Sequence, residues 1–171
     1  MRVLITKEEL EARIEELAKS ITADYEGKRP VLICVLKGAV LFVADLARLL
    51  PFDLELEFMA VSSYGKSTES SGVVRILKDL ETDIEGRHVL IVEDVVDSGL
   101  TLQYLTRTLK ARNPSSLETV TLLSKPSRRT ADIECRYTGF EIPGEFVVGY
   151  GLDHGEKYRN LSYIGVADDI E

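Results

Sequence analysis

Residues 89–102 read VLIVEDVVDSGLTL, and they gather more groups able to do chemistry than any other short segment of the chain. Two carboxylates, Glu93 and Asp94, stand where an apolar run ends. After Val95 and Val96 come Asp97, Ser98, Gly99, Leu100 and Thr101, a turn that leads into a helical pattern. In open α/β sheets ligands bind outside the carboxyl ends of the strands, where such a turn lies. Gly99 lets the backbone pass close to a ligand with no Cβ in the way. Successive N–H groups at a helix N-terminus form a concave donor array suited to a phosphate dianion. Ser98 is placed as the N-cap, and the Ser98 and Thr101 hydroxyls add hydrogen bonds. Acids beside a phosphate must face something else, either ribose hydroxyls, which donate, or a divalent cation.

Other segments offer single groups rather than a cluster. Lys37-Gly38 follows the apolar run VLICVL. Residues 62–72, SSYGKSTESSG, are polar and without period, a surface loop of the length that usually carries function. Lys125 directly follows an apolar run, and residues 139–161 contain Phe146, Val147, Asp153 and Arg159. Each has an ordinary reading when taken alone. The acids are then solvated loop residues, Lys37-Gly38 a strand-to-helix turn, Lys125 and Arg159 surface cations, and Phe146 a core ring. An acidic pair at a strand end also suits a receiver domain phosphorylated on Asp, but that leaves the Asp-Ser-Gly-Leu-Thr turn without a purpose.

The elements that must position these groups follow from periodicity. Thr6 and Glu9 form a capping-box pattern, and Leu10, Ile14, Leu17, Ala18 and Ile21 recur at helical spacing, predicting a helix to about Asp24 closed by Gly27 and Pro30. Val31–Leu36, Val89–Val92 and Val120–Leu123 are short unbroken apolar runs, the pattern of parallel strands buried on both faces. Residues 39–50 predict a buried helix stopped by Pro51, and Leu102, Leu105 and Leu109 a second one closed by Asn113-Pro114. Leu54, Leu56 and Phe58 alternate with Glu55 and Glu57, which predicts a strand over 54–61 with the glutamates on a wetter face. Val73–Leu77 resumes strand character. Strands alternating with helices argue for one α/β domain over 1–171 with a mostly parallel sheet, the irregular last 45 residues capping it.

Composition limits the partners. The 171 residues carry 21 Lys and Arg against 29 Asp and Glu, a net charge of −8. A chain this acidic is a poor nucleic-acid binder. The longest apolar stretch, Val31–Ala44, is interrupted by Lys37 and falls short of the ~18 residues of a membrane span. The acidic, periodic N-terminus does not read as a targeting segment. Cys34 and Cys135 form no C-x-x-C pair and read as structural thiols in a reducing compartment, so a cytoplasmic setting is expected. His88, at a strand entrance, and His154, in a loop, receive no catalytic role.

Taken together, the apolar strand, two acids, two apolar residues and Asp-Ser-Gly-Leu-Thr closely resemble the 5-phosphoribosyl-1-diphosphate signature of the type I phosphoribosyltransferases. The resemblance narrows to the hypoxanthine-guanine members and covers nearly the whole chain. It implies a mostly parallel central sheet flanked by helices, with a small hood from the chain ends to which residues from about 125 to 171 contribute the base-binding part. It further implies that Glu93 and Asp94 hold the ribose hydroxyls, directly or through Mg2+, and that residues from Val95 to Thr101 bind the ribose phosphate. Asp97 is then the general base or acid near purine N7. Leu100 stands where several relatives carry Lys or Asn, at the cost of at most one side-chain contact to the phosphate.

The remaining segments fall into place within the same resemblance. Lys37 and Gly38 match a diphosphate-binding loop whose N–H groups are freed by a cis peptide before the lysine, and Arg159 matches a second diphosphate contact. Ser63-Tyr64 match a pair in a flexible loop that closes to keep water from the oxocarbenium-like centre. Lys125 matches the donor to the purine 6-oxo group, Phe146 the ring that stacks on the base, and Val147 a backbone reader of its edge. Asp153 matches a ligand of a second magnesium near the 2-position of the base. The implied reaction joins hypoxanthine or guanine to 5-phosphoribosyl-1-diphosphate, giving IMP or GMP and diphosphate, in a purine-salvage enzyme that is a homodimer or homotetramer. A xanthine- or pyrimidine-preferring relative is the nearest alternative. An RNA-binding regulator on the same superfold needs a basic face, for which residues Lys125 to Arg129 are the local candidate.

Overall fold

The computed structural model describes residues 1–63 and 74–168. In chain order the elements are β1 (Arg2–Ile5), α1 (Lys7–Tyr25), β2 (Val31–Leu36), α2 (Val40–Arg48), β3 (Glu55–Ser63), β4 (Val74–Lys78), β5 (His88–Val96), α3 (Leu100–Lys110), β6 (Ser116–Ser124), a 3-10 turn (Pro126–Arg128), β7 (Tyr137–Glu141), β8 (Val147–Val148) and β9 (Ile164–Val166). Six strands form the central sheet in the order β4-β3-β2-β5-β6-β7, parallel except for β4, which runs antiparallel to β3. Near the two ends of the chain, β1, β9 and β8 make a separate antiparallel sheet, the expected hood.

The unbroken apolar runs are explained by burial on both faces of the central sheet. Leu32, Cys34, Leu90, Val92 and Val120 pack toward α1 and α2, against Leu10, Ile14, Phe42 and Leu46. Val31, Ile33, Val89 and Ile91 pack toward α3, against Leu102, Leu105 and Leu109. Helix α1 begins at the predicted capping box: Thr6 Oγ1 accepts the Glu9 amide at 3.1 Å, and Glu9 accepts the Thr6 amide at 3.2 Å. Its Arg13 donates to the carbonyls of Thr138 and Gly139, which ties the helix to edge strand β7. No helix among the described residues is long and apolar enough to cross a membrane.

Several boundaries differ from the sequence expectation. Strand β1 was not predicted, because four residues paired only with the distant β9 carry no local signal. Strand β5 does not end before the acidic pair but continues through Glu93 and Asp94 to Val96, held by its parallel register with β6. Strand β3 likewise runs on through Ser62 and Ser63. The terminal segment is not all cap, since β7 joins the central sheet beside β6.

The largest reversal concerns β3. Leu56 is 43% exposed, whereas Glu57, expected on the wetter face, is only 7% exposed. Glu57 stands level with Ile33 on the α3 face, where residues 79–84 fold over it. Its carboxylate accepts the Thr82 amide at 3.1 Å and the Phe58 amide at 3.2 Å. Burial works against its charge, but these hydrogen bonds and the nearby Lys78 outweigh burial and hold the carboxyl below its ordinary range. A depressed native pKa contributes stability above the unfolded-state pKa and loses it as pH falls through the native value. Glu57→Ala is therefore expected to lower stability by about 1–3 kcal/mol at neutral pH, the cost of stranding buried amides. In urea unfolding, the advantage of wild type over Glu57→Gln should shrink on acidification below the ordinary glutamate range. A pH-independent difference would contradict the role given to the charge.

Candidate active site

The β5–β6 ladder sets the position of the central groups. Beyond the last paired residues, the Lys125 amide donates to the Val96 carbonyl at 3.0 Å, prolonging the ladder by one bond. Lys125 is thereby fixed beside Asp97, with Nζ 3.5 Å from Oδ2 and the lysine side chain only 7% exposed. Arg128 holds the other carboxylate oxygen of Asp97 through Nε at 2.6 Å. Arg129 donates to the Asp97 carbonyl at 3.3 Å and to Ser124 Oγ at 2.8 Å, while the amides of Thr130 and Ala131 both reach the Ser98 carbonyl at 3.0 Å. Residues 125–131 thus strap the turn that follows β5.

The helix N-cap is Gly99 rather than Ser98. Gly99 has φ +86°, a left-handed conformation that favours glycine, and a Cβ there would stand 2.8 Å from Ile133 and 3.0 Å from Arg129. Ser98 lies one residue earlier, and its hydroxyl accepts the Leu100 amide at a long 3.4 Å. Residues 93–99 and Thr101 line a cavity of about 210 Å³ at this helix start, the setting in which a helix N-terminus binds an anion.

Glu93 and Asp94 form a desolvated pair. Glu93 is 6% exposed; burial, the neighbouring Asp94 charge and a hydrogen bond between the two raise its pKa well above the ordinary range. Burial also raises Asp94, partly countered by the Val95 amide, which donates to its Oδ1 at 2.7 Å. Such a pair favours either a retained proton or a cation. No three His, Cys, Asp or Glu side chains converge on one point among the described residues, so Glu93, Asp94 and Asp153 do not make a joint all-protein metal cage. That donor set fits Mg2+, which binds through one or two carboxylates together with substrate oxygens.

The opposite wall comes from the β2–α2 loop and the hood. The Leu36–Lys37 peptide is cis. A Cβ on Gly38 would overlap the Asp94 carboxylate, and one on Gly151, which has φ +99°, would overlap the Gly38 carbonyl. These contacts seat the Lys37-Gly38 loop between the acidic strand end and the segment 149–161. Tyr150 anchors that segment to α2 through a hydrogen bond to Asp45. Val147 is buried and pairs with Val166, whereas Phe146 is 55% exposed, with the His154 ring edge-on at 5.6 Å. Arg159 donates through Nη1 to the Gly151 carbonyl at 2.6 Å and through Nη2 to Glu156 at 2.9 Å, with Asp153 at 3.4 Å. Its Nε is buried with no acceptor among the described residues, a donor that an oxygen-rich ligand would satisfy.

Lys37, Gly38, Asp94, Asp97, Lys125, Phe146, Val147, Asp153 and Arg159 line one cavity of about 370 Å³. A larger groove of about 830 Å³ between α1 and α2 contains none of these residues. Ser63 ends β3, and Tyr64, with the rest of the expected flexible loop to residue 72, lies outside the described residues. Arg128, Arg129 and Glu156 were not foreseen. The basic run 125–129 was the available signal for the two arginines, and nothing local marked Glu156. His88 sits at the strand entrance, its Nδ1 2.7 Å from Ser116 Oγ, away from this cavity. Burial pushes the Cys34 and Cys135 thiols up to about 12 and about 11, consistent with their structural reading.

A mostly parallel sheet with an acidic strand end, a helix-start turn lined with amides and hydroxyls, and a facing cationic loop is suited to handling a nucleotide or a sugar phosphate. The chain belongs to the phosphoribosyl transferase domain family, whose profile matches residues 5–154. Within that family it is similar to hypoxanthine-guanine phosphoribosyltransferases. It is 62% identical over 172 residues to the enzyme of Mycobacterium tuberculosis (strain ATCC 25618 / H37Rv), covering 97% of this chain and 85% of the relative. The Bacillus subtilis (strain 168) enzyme is 54% identical over 165 residues, covering 96% of this chain and 92% of the relative. The crystal structure of a hypoxanthine phosphoribosyltransferase from Staphylococcus aureus superposes with a TM-score of 0.94 at 50% identity, covering 97% of this chain and 90% of that one.

The glycine contacts make a direct test of how the loop is seated. Gly155 has φ +58° with open space around its Cβ position, whereas Gly151 abuts backbone. Gly155→Ala is expected to cost about 1 kcal/mol in chemical unfolding, the backbone term alone. Gly151→Ala should cost more and also lower phosphoribosyl transfer, because the Lys37-Gly38 loop must shift. Equal effects of the two variants would show that the close approach does not matter.

Proposed function

We propose that this protein transfers the 5-phosphoribosyl group from 5-phosphoribosyl-1-diphosphate to hypoxanthine or guanine, giving IMP or GMP and diphosphate. The observation that carries this reading is the buried Lys125 held 3.5 Å from Asp97, in the same cavity as the exposed ring of Phe146. Lys125 has only donors, so it suits a purine 6-oxo acceptor and leaves adenine, with its 6-amino group, unmatched. Phe146 stacks on the base, and the Val147 backbone lies along its edge. Asp97 takes the proton that the purine ring loses as N9 bonds to the anomeric carbon and the bond to diphosphate breaks. Lys125 and Arg128 orient its carboxylate beforehand.

The sugar phosphate rests on the Ser98-to-Thr101 turn, and Glu93 and Asp94 face the ribose hydroxyls. Lys37, the Gly38 amide and Arg159 take the departing diphosphate, including the buried Arg159 Nε. Asp94 and Glu93 on one side and Asp153 on the other would each share a Mg2+ with substrate oxygens. Bound there, the metal supplies positive charge against the diphosphate as it leaves. A cytoplasmic homodimer or homotetramer belongs to the same reading. For the RNA-binding alternative, Lys125, Arg128 and Arg129 of the basic run are turned onto Asp97 and Ser124, which favours the enzyme.

Steady-state assays with hypoxanthine, guanine, xanthine and adenine, with and without Mg2+, test the reading. Turnover should need Mg2+ and be lowest with adenine. Asp97→Asn is expected to lower kcat at least about 100-fold, the scale of general acid–base catalysis. Lys125→Ala should raise KM for the 6-oxopurines with little change for the phosphoribosyl donor. Wild-type turnover in Asp97→Asn, or an equal loss of both substrates in Lys125→Ala, would reject these roles.

A further inference from the structure

Glu156 belongs to no assigned part of the site, yet it contacts both side-chain cations assigned to the diphosphate. Its Oε2 lies 3.3 Å from Lys37 Nζ and its Oε1 2.9 Å from Arg159 Nη2, one oxygen to each cation. The backbone that carries it is tightly specified. His154 and Lys157 pair through two amide–carbonyl bonds of 3.1 Å, and between them Gly155 and Glu156 both adopt left-handed φ, +58° and +65°. This is the geometry of a two-residue hairpin turn. The Glu156 amide donates to Asp153 Oδ2 at 2.8 Å, so the turn is fastened to the carboxylate that also faces Arg159. Glu156 is not a residue that favours a left-handed conformation, and its side chain leaves the rigid turn to reach across to a loop 119 positions away.

We infer that Glu156 is an internal counter-anion: it bridges Lys37 and Arg159 in the free protein and gives way to the diphosphate, so that it weakens diphosphate binding and hastens its release. This rests on the reading of Lys37 and Arg159 as diphosphate ligands. Two cations kept at one cavity wall repel each other, and a carboxylate between them removes that repulsion while holding both side chains near their working positions. Glu156 meets each cation with a separate carboxylate oxygen. Its side chain is 63% exposed, so it can swing into water without leaving a buried charge behind. A diphosphate offers more charge and more acceptors than one carboxylate and displaces it. As Glu156 swings out, the charge at the wall changes by one unit less than simple anion binding would require. Glu156 acts through the two cations and touches no reacting atom; it is a positioning residue.

The test uses the whole protein and inorganic diphosphate with Mg2+, with binding followed by calorimetry and compared with KM and kcat for the phosphoribosyl donor. Glu156→Gln keeps the shape and removes the charge, and Glu156→Asn supplies a residue at ease in the left-handed region. Both are expected to bind diphosphate about three- to tenfold more tightly at low salt, the scale of two exposed ion pairs. KM for the donor should fall with no rise in kcat, and the gap to wild type should close as KCl is added. Unchanged or weaker diphosphate binding in both variants would overturn the inference. Lys37→Ala separates this from the reading beneath it: that variant must weaken diphosphate binding, and if it does not, the diphosphate site itself is misassigned.

Discussion

The parallel pairing of β2, β5 and β6 is the interaction on which the site depends. Cys34 is level with Val92, and Val96 is level with Ser124, so three strands deliver their carboxyl ends to one edge of the sheet. One further bond, from the Lys125 amide to the Val96 carbonyl, carries the ladder past the strands and into the site. A slip of one residue would send the side chains of β5 to the opposite faces. Burial on both faces makes such a slip costly, because every inward methyl would need a new place in a close-packed interior. The rigid part of the fold therefore ends where the chemistry begins, and the loops inherit its precision.

The charge distribution follows from that arrangement. A protein of net charge −8 gathers a small number of cations at one cavity, each held by an acid. Asp97 lies between Lys125 and Arg128, while Glu156 and Asp153 hold Arg159. These pairings keep long side chains ordered and prevent cation–cation repulsion. The acidic strand end works the other way: Glu93 and Asp94 are desolvated next to each other, a state that a proton or a cation relieves. The molecule thus presents a paired cationic wall opposite a carboxylate pair in need of positive charge.

Local patterns made much of the fold legible. The Thr6–Glu9 capping box and the i, i+4 apolar positions of α1 are encoded within a few residues, as are the unbroken apolar runs of β2, β5 and β6. Strand β3 was misread in its faces because alternation says which residues share a side but not which side is covered. Residues 79–84 fold over the Glu57 side and donate the Thr82 amide, a fact set by a distant segment. Strands β1 and β7 were missed for a related reason, since their partners lie far away in the chain. The position of the N-cap depended on backbone conformation at Gly99, and Ser98 has the side chain of a cap without its place.

What the sequence determined by itself was which groups stand together at the end of β5 and the turn that follows them: Glu93, Asp94, Asp97 and the glycine-led helix start lie within a few residues, where spacing alone brings them together. It also placed Lys37-Gly38 and Lys125 at the ends of buried strands. The tertiary structure alone decided which groups meet. Asp97 is held by Arg128, 31 residues on, and Lys37 by Glu156, 119 residues on, while Gly38 closes on Asp94 and Gly151 closes on Gly38. Neither periodicity nor motif encodes such contacts, because ion pairs and close backbone approaches depend on distances in space. Those distances exist only once the sheet and the hood have packed.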